Sequence, residues 1–542
     1  MSQFTKDRNS LNLVKKSLEK VAHRQLPRIL TQFCRDPNNS AFGCADRNWW
    51  HYKIRDFPSI ILQQAALTIQ IANNLEIKNA IGLNKLIEGS VYFWNKRVLQ
   101  YGAFEEYYPW EKGFPPLAFS TLAIMLVIKN SDINPEIAKK GASKAANQLL
   151  KRFEPQAANQ QLAALAALAH IKNIYPDLVS NQKFQKLSQK TLSLQNSEGW
   201  FNEYGGPDLG YLSVSIDCLW DLFDATKDQK YIDSASRSLI FISSLINWSK
   251  GHNIGPHNSR NTDYLVPYGI SRFLESDNKC FDLALNTLNK LYSQADDENH
   301  FFSSIDDRYW CHYIGASVFR SLLYMPNQIN KKIKIKRKNS FEYFLKSGLI
   351  FVKKKDINIL ISTKKGGIFS IFFKNSVISD FGWHLQYKDK ELVNNFWSKE
   401  WKCNYKKYKN RIEINIDGKL VNHQEINSNP LNHFLLRICS LLFGNLIIDF
   451  LKKKLIFKKG LNNSHFFRNI KIYGDIIIVN DKITNNNYGN LTRAPRASKR
   501  HVSSSDNFHK EDFIFNNFYS DKKYISNNEK EITTQYLLMK EQ

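Results

Sequence analysis

The chain of 542 residues contains little of what builds disulfide-rich, fibrous or low-complexity proteins. Its seven cysteines lie far apart, from Cys34 to Cys439, without a Cys-x-x-Cys pair, which argues against a disulfide framework and against a zinc ribbon. Glycine (23) and proline (15) are too scarce for a fibrous protein, whereas the apolar share of 43% is that of an ordinary globular protein. Such a chain is long enough for more than one hydrophobic core, so we expect two domains.

The sequence also lacks the short motifs that mark common cofactor and nucleophile sites. It contains no Gly-x-x-x-x-Gly-Lys-Ser/Thr loop, no Gly-x-Gly-x-x-Gly turn after a strand and no His-Glu-x-x-His pair. Gly-x-Ser-x-Gly is absent as well, so an α/β-hydrolase nucleophile has no support. No His, Cys and Asp residues are spaced as in a transition-metal site. We therefore expect no cofactor and no bound metal.

Long apolar runs are missing too. The first residues contain no apolar segment of the kind found in a secretory signal. Leu117–Ile128 is too short to span a bilayer, and Phe434–Leu451 is interrupted by Arg437 and Asp449. We therefore expect a soluble, cytoplasmic protein without a membrane span.

What the sequence has in excess is positive charge, with a formal net charge of +26. One interpretation is a polyanionic partner, either nucleic acid or an acidic polysaccharide. The other is a general bias towards lysine and asparagine, with charge runs on solvated faces. Lysines alternate with aromatic residues at 402–409, but nothing else resembles a nucleic-acid-binding module, so no specific nucleic-acid partner is predicted.

Hydrophobic periodicity divides the chain into two parts. Residues 1–325 show apolar residues at three- and four-residue spacing in about twelve segments separated by proline-containing breaks. This count predicts an (α/α) toroid of about six helical hairpins, although a helical solenoid would give the same local signal. After a basic linker at 326–340, short alternating runs predict an antiparallel β-sandwich over 341–485. The polar segment 486–542 is predicted to be partly disordered or to form the edge of the sandwich.

Three predicted loops of the helical part are rich in polar and aromatic side chains. In residues 104–111, three carboxylates stand beside aromatic rings, a combination that can line a sugar site or merely close a helix end. Residues 199–211 contain glycines that permit a tight turn, and there Asp208 could simply cap the next helix. Residues 255–264 combine His, Arg, Asn and Tyr beyond what capping requires. The candidate residues are Glu106, Tyr108, Glu111, Trp200, Glu203, Tyr204, Asp208, Tyr211, His257, Arg260, Asn261 and Tyr264.

At these residues the chain resembles the heparinase II/III-like superfamily of polysaccharide lyases. The segments WFNEYGGPDLGY (200–211) and HNSRNTDYLVPYG (257–269) look like those of uncharacterised relatives of that superfamily, found with polysaccharide genes. The resemblance covers about residues 1–485, and it implies a helical toroid followed by a β-sandwich. The Asn-Asn-His run of well-studied members is not present.

The resemblance implies β-elimination on a uronic-acid-containing glycan linked to surface polysaccharide metabolism. In such a reaction Asn261, His257 or Arg260 would neutralise the substrate carboxylate, and Tyr204 or Tyr264 would abstract the proton at C5. Arg260 would then need to lower the pKa of the tyrosine that acts as base. The remaining candidates would bind an acidic polysaccharide or oligosaccharide: Glu106, Tyr108, Glu111, Trp200, Glu203, Asp208 and Tyr211.

Two other functions remain open from the sequence. A glycoside hydrolase on the same toroid would use two of the carboxylates Glu106, Glu111, Glu203 and Asp208. A non-catalytic protein that binds carbohydrate or serves as a scaffold in polysaccharide production would need neither chemistry. The oligomeric state is not readable. We expect the three loops to meet at one end of the helical ring.

Overall fold

A computed structural model describes most of the chain, and it contains an N-terminal helical part and a C-terminal part of antiparallel sheets, as the sequence predicted. Most of the predicted basic linker 326–340 and much of 486–542 lie outside the described residues. The described residues are 3–77, 82–275, 279–326, 340–374, 376–387, 390–423, 429–455, 459–485, 490–496, 519–525 and 529–538.

The helices α1 to α14 precede the sheets in the chain. In order they span Gln3–Gln32, Arg47–Trp50, Ala65–Asn74, Asn84–Arg97, Phe114–Lys129, Lys139–Lys151, Ala158–Ile174, Asn181–Leu192, Leu209–Thr226, Lys230–Trp248, Tyr268–Ser271, Phe281–Tyr292, Asp307–Trp310 and Tyr313–Leu323.

These helices form a closed double ring. In the inner layer α3, α5, α7, α9, α11 and α14 contact one another in turn, and α14 returns to α3. In the outer layer α4, α6, α8, α10 and α12 pack against them, and the first helix closes the ring by contacting α12, α13 and α14. This closure distinguishes an α/α toroid from an open solenoid, and the six outer–inner pairs are the predicted hairpins.

Of the inner helices, α5 and α7 are mostly apolar or small, as helices buried on every side should be. In α7 every residue from Gln161 to Ile171 is buried, and the alanines there let neighbouring helices approach closely. The third polar loop continues up to α11, which begins only at Tyr268. Val266 donates its N–H to Ser213 Oγ at 2.9 Å, and the following Pro267 disfavours helical backbone in the residue before it.

The second part of the chain forms three antiparallel sheets. Their orders are β1-β2-β3-β4-β5, β10-β7-β6-β13 and β14-β15-β12-β11-β9-β8. Strands β1 to β15 span Phe341–Phe344, Leu349–Lys354, Ile357–Ser362, Ile368–Phe372, Val377–Asp380, Trp383–Tyr387, Lys390–Val393, Lys402–Lys407, Arg411–Gly418, Val421–Asn422, Ser464–Tyr473, Ile476–Asn485, Asn490–Arg493, Tyr519–Ile525 and Glu529–Leu537.

The first sheet is buried on both faces because it lies between the toroid and the other sheets. Along β2, Leu349 and Phe351 join the hydrophobic core of the helices, while Ile350 and Val352 join the core of the sheets. Because side chains of a strand alternate between the two faces and both faces of this sheet are buried, most positions of β2, β3 and β4 are apolar. The sheets are therefore packed firmly against one side of the toroid.

The polar segment 486–542, predicted to be partly disordered or to form the edge of the sandwich, supplies the edge strands β13 and β14 and also β15, which lies inside the largest sheet between β14 and β12. A helical insertion in the second part was not predicted. Two helices, α15 (Pro430–Phe443) and α16 (Asn445–Leu455), form a hairpin between β10 and β11. Among the described residues, no helix is both long enough and apolar enough to cross a membrane.

Candidate functional site

The three predicted loops lie at one end of the toroid, which we call the mouth. Each connects an outer helix to the next inner helix: residues 98–113 join α4 to α5, 193–208 join α8 to α9, and 249–267 join α10 to α11. Because the helices of successive hairpins alternate in direction, such connections gather at the same end of the ring. The contacts agree, since Ser259 Oγ donates to the Glu203 carbonyl at 2.8 Å.

Each of the three loops holds a non-glycine residue in left-handed backbone conformation, and the third also holds Lys250 near its start. Trp110, Tyr204 and Asn261 have φ values of +57°, +50° and +59°. This conformation costs a non-glycine residue on the order of 1–3 kcal/mol and is concentrated at functional sites. The packing around the mouth must therefore hold these turns in place.

Arg260 stands at the centre of the mouth. Its guanidinium carbon lies 4.4 Å from the ring centroid of Tyr204 and 4.3 Å from that of Tyr211. Nη1 is 3.6 Å from Glu203 Oε2, and neither of these two buried atoms has a hydrogen-bond partner. A buried cation and a buried carboxylate oxygen thus keep hydrogen-bonding capacity in the same place, which is where a bound ligand would be held.

Glu203 is anchored by its other oxygen. Oε1 accepts the backbone N–H of Asn159 at 3.0 Å and the side-chain amide of Asn159 at 2.5 Å. Burial raises the pKa of Glu203 to about 7, although Arg260 and Asn159 act in the opposite direction. This carboxyl therefore changes its charge close to neutral pH.

Tyr204 is buried and remains a neutral phenol near neutral pH. Burial raises its pKa to about 12, and the nearby Arg260 lowers it by less than burial raises it. The sequence led us to expect that Arg260 would make this tyrosine a base. Here desolvation outweighs the cation, so the resting side chain keeps its proton and can act as a proton donor but not as a base.

Asp208 has a structural task at the mouth. Oδ1 accepts the N–H of Tyr211 at 3.1 Å and caps α9, and Oδ2 accepts the N–H groups of Arg260 and Thr262, both at 3.3 Å. Position 210 is a glycine because a Cβ there would come within 2.2 Å of Thr262 Cγ2. Asp208 thus ties the second loop to the third, as the capping alternative foresaw.

His257 and Asn261 face the first sheet. The ring nitrogens of His257 lie 2.7 Å from Ser362 Oγ and 2.8 Å from Ser370 Oγ, and burial lowers the pKa of His257 to about 3. Asn261 Oδ1 accepts a hydrogen bond from buried Lys365, whose ammonium also donates to the carbonyls of Pro256 at 2.5 Å and Asn258 at 2.8 Å. These contacts fix the third loop to the sheets.

Trp200 also belongs to the contact between toroid and sheets. Its Nε1 donates to Glu198 at 2.9 Å, and Glu198 accepts the N–H groups of Lys346 at 2.6 Å and Ser347 at 2.9 Å. Next to it, Trp397 lies over the turn at Gly206, where a Cβ would be 2.4 Å from its ring. The sheets therefore support the second loop as well as the third.

Tyr264 pairs with a tyrosine that the candidate set did not include. Its hydroxyl is hydrogen-bonded to that of Tyr313, the first residue of α14, and burial raises the pKa of both. The sequence signal for Tyr313 is the run of aromatic and charged residues at 306–313, which leads into α14.

The first loop contributes a pair of buried carboxyls. Glu111 Oε2 accepts the N–H groups of Glu106 at 2.9 Å and Tyr107 at 2.8 Å, while Glu106 Oε2 is buried without a hydrogen-bond partner. Burial and their mutual repulsion raise the pKa of Glu106, and burial raises that of Glu111. Glu106 also contributes to the electrostatic field at Tyr204, which links this loop to the other two.

Beside this loop a cleft of about 510 Å³ opens between the toroid and α15. We call it the basic cleft, because four of the residues that line it are Lys, Arg or His. They and two tyrosines lie along it: Lys53, Arg55, Tyr107, Tyr108, His433 and Arg437.

The hairpin of α15 and α16 covers part of the mouth. Lys452 forms an ion pair with Glu154, and its ammonium lies 5.9 Å from the ring centroid of Tyr204. Ser440 donates to the carbonyl of Pro109 at 3.2 Å. The candidate set contained no residue of this hairpin, because its helices follow a run of strands and carry no motif.

The Glu203→Gln variant should isolate the titration of this carboxyl. Because the folded state raises the pKa from 4.5 to about 7, the folded protein binds more protons than the unfolded chain between these values, and its stability falls as the pH rises through them. A glutamine cannot titrate, so the free energy of unfolding of the variant relative to the wild type should rise by at most about 1.4 kcal/mol per pH unit in this window. Denaturant unfolding at several pH values measures this difference, and a difference independent of pH would contradict the assignment.

The fold is similar to those of solved polysaccharide lyases. The chondroitin AC lyase of Streptomyces coelicolor A3 is 9% identical, with 99% of this chain and 80% of that chain covered and a TM-score of 0.47. Heparinase III is 9% identical, with coverages of 88% and 74% and a TM-score of 0.45. A Paenibacillus xanthan lyase is 9% identical, with coverages of 99% and 56% and a TM-score of 0.42.

No family model matches the sequence, and no curated protein matches it significantly. At identities near 9% the likeness concerns the fold, so the roles of the side chains are inferred from the geometry of this chain.

Proposed function

We propose that this protein is a polysaccharide lyase that cleaves a uronic-acid-containing glycan by β-elimination, with a part in surface polysaccharide metabolism. The observation that carries the proposal is the position of Arg260, buried between two tyrosine rings and beside Glu203, with Nη1 making no hydrogen bond. A fixed cation in a site that excludes water is suited to pair with a carboxylate. Among sugar units, the uronic acids supply that group.

Neutralising the carboxylate is what makes the elimination accessible. The C5–H bond of a uronate is weakly acidic, and its removal places negative charge on the carboxylate oxygens. Arg260 Nη1 can donate to one of these oxygens, in the place where no hydrogen bond now holds it. The charge that develops in the transition state then meets a preorganised donor.

Two neighbouring residues divide the proton transfers between them. Burial raises the pKa of both groups, and the two values stay far enough apart for one group to be ionised near neutral pH while the other keeps its proton. Glu203, with a pKa of about 7, is the base, and Tyr204, with a pKa of about 12, is the acid. As the C5–H and C4–O bonds break and the C4–C5 double bond forms, Glu203 takes the C5 proton and Tyr204 gives its proton to the leaving oxygen.

The other candidate residues support this centre. The basic cleft leads to the first loop and can hold further acidic units of the polymer beside the rings of Tyr107 and Tyr108. His257, Asn261, Trp200 and Asp208 act as positioning residues, because their polar atoms bind the sheets or the neighbouring loop. Tyr211 forms the second face of the Arg260 site.

The test is a screen of the full chain against acidic polysaccharides in water labelled with heavy oxygen. Elimination forms a conjugated double bond, so ultraviolet absorbance should rise, and the new ends should carry no label, since no water is added. New reducing ends that carry the label, without the absorbance, would contradict the lyase proposal. Saturable binding without either product would favour a carbohydrate-binding or scaffold protein.

A glycoside hydrolase is the second candidate, and the pair Glu106 and Glu111 favours it. Both carboxyls are buried with raised pKa values, and Glu106 keeps one oxygen unpaired, as a general acid requires. Asp208 fits this chemistry less well, because three backbone N–H groups occupy its two oxygens. Uptake of the heavy oxygen into the product is the outcome specific to this candidate.

A further inference from the structure

The hairpin of α15 and α16 exposes an unusual amount of apolar surface. Nine large apolar side chains there are each 40–70% exposed: Leu431, Phe434, Leu435, Ile438, Leu441, Leu442, Phe443, Leu446 and Phe450. Single exposed apolar side chains are ordinary on a soluble protein, but a contiguous group of this size marks an interaction surface. We call this group the apolar face of the hairpin.

The apolar face has the period of an amphipathic helix. In α15 its residues include Leu431, Leu435, Ile438 and Leu442, which follow one another at intervals of three or four. The other side of α15 holds the toroid through Ser440, which binds the carbonyl of Pro109, and through Arg437, which lies 3.5 Å from Asp56. The hairpin is thus seated on the mouth with its apolar side turned away from it.

The length of the helices limits what can cover this face. The 14 residues of α15 extend over about 21 Å and the 11 residues of α16 over less, whereas a bilayer core is about 30 Å thick. An amphipathic helix of this kind lies along a membrane surface with its apolar side among the acyl chains. Arg437 and His433 are polar residues on the same helix as the apolar face.

Charge decides between a membrane and a second copy of the chain. Beyond Lys452, which is paired with Glu154, the sequence that ends the hairpin has four more lysines, at 453, 454, 458 and 459, and the whole chain carries a net charge of +26. Two copies that met at this face would bring like charges together, whereas anionic lipid headgroups would meet charges of opposite sign. The charge therefore favours a lipid surface.

We infer that the apolar face of the hairpin docks this protein onto the surface of an anionic lipid membrane. The inference does not depend on the proposed lyase activity. Docking would hold the mouth of the toroid next to the membrane, because Lys452 and Ser440 of the same hairpin contact residues of the mouth.

The test is flotation of the full chain with vesicles made of equal parts phosphatidylglycerol and phosphatidylcholine, and with vesicles of phosphatidylcholine alone. The wild type should bind the anionic vesicles, and more weakly as salt is added. The triple variant Leu431→Ser, Leu442→Ser, Leu446→Ser should bind at least about tenfold more weakly, because it removes apolar area that enters the lipid. All three side chains are more than 60% exposed, so the fold does not depend on them.

A matched triple variant elsewhere on the surface serves as the control. Leu13→Ser, Ile240→Ser and Leu345→Ser remove side chains that are 55%, 51% and 65% exposed but lie outside the hairpin, and this variant should bind like the wild type. Failure of the wild type to float with anionic vesicles, or equal binding by both triple variants, would overturn the inference. So would a concentration-dependent dimer, measured by sedimentation, that only the hairpin variant abolishes, since the face would then bind a second copy.

Discussion

Replacing Tyr204 by phenylalanine is expected to lower kcat on an acidic polysaccharide by about 10²- to 10⁴-fold. The variant keeps the ring that lies 4.4 Å from the Arg260 guanidinium and loses only the hydroxyl that would protonate the leaving oxygen. KM should change little, because the lost group acts in the transition state. Initial rates of ultraviolet absorbance on a cleaved polymer measure both parameters.

Two comparisons make this result specific to proton transfer. Tyr231→Phe removes another buried hydroxyl, which lies 2.7 Å from Ser188 Oγ on the outer helices, and should leave kcat unchanged. A substrate with a good leaving group needs little protonation, so the loss in the Tyr204→Phe variant should be smaller with it. An equal loss with both substrates would contradict the role of Tyr204 as the acid.

Replacing Arg468 by methionine is expected to destabilise the sheets by about 3–5 kcal/mol. Arg468 is fully buried and donates to both oxygens of Asp481 at 2.7 Å and to Asp380 at 3.3 Å. Its removal leaves two buried carboxylates without their main counter-charge, although Arg493 still lies 2.9 Å from Asp380. Denaturant unfolding followed through a signal of the sheets measures the loss.

The partner of Arg468 gives a second variant for the same network. Adding Asp481→Asn to Arg468→Met removes one of the orphaned charges and should recover part of the lost stability. Arg411→Met removes a partly exposed arginine whose contact with Glu413 is 4.0 Å, and should change stability by less than about 0.5 kcal/mol. Similar losses for Arg411→Met and Arg468→Met would show that the network contributes nothing particular.

The sequence was most informative where local chemistry decides the structure. The alanine-rich sequence of α7 predicts a buried helix, and the prolines at the start of α5 predict where that helix begins. The alternation along β2 and β3 predicts strands. The helix count predicted a toroid but gave the same local signal as an open solenoid, because closure depends on contacts between α1 and α12, which are far apart in the chain. The hairpin of α15 and α16 was not predicted, because its apolar residues were considered only as a possible membrane span that charged residues interrupt.

For the candidate site, the sequence predicted that the three loops meet better than it predicted the contacts of each side chain. Alternation of outer and inner helices brings the loops together, so their meeting followed from the helix count. The orientation of His257 towards Ser362 and Ser370 could not be predicted from the sequence, because those serines lie on strands more than a hundred residues away. The pKa of Tyr204 could not be predicted either, because the opposing effects of burial and of Arg260 depend on how far the ring is desolvated in the folded protein.

The central claim is that Arg260 pairs with a uronate carboxylate so that the glycan is cleaved by elimination. The most direct measurement compares turnover of an acidic polysaccharide with turnover of the same polymer after chemical reduction of its carboxyl groups to alcohols. We predict an unsaturated product from the acidic polymer and none from the reduced one, because reduction removes both the partner of Arg260 and the acidity at C5. Cleavage of both polymers at similar rates would contradict the claim.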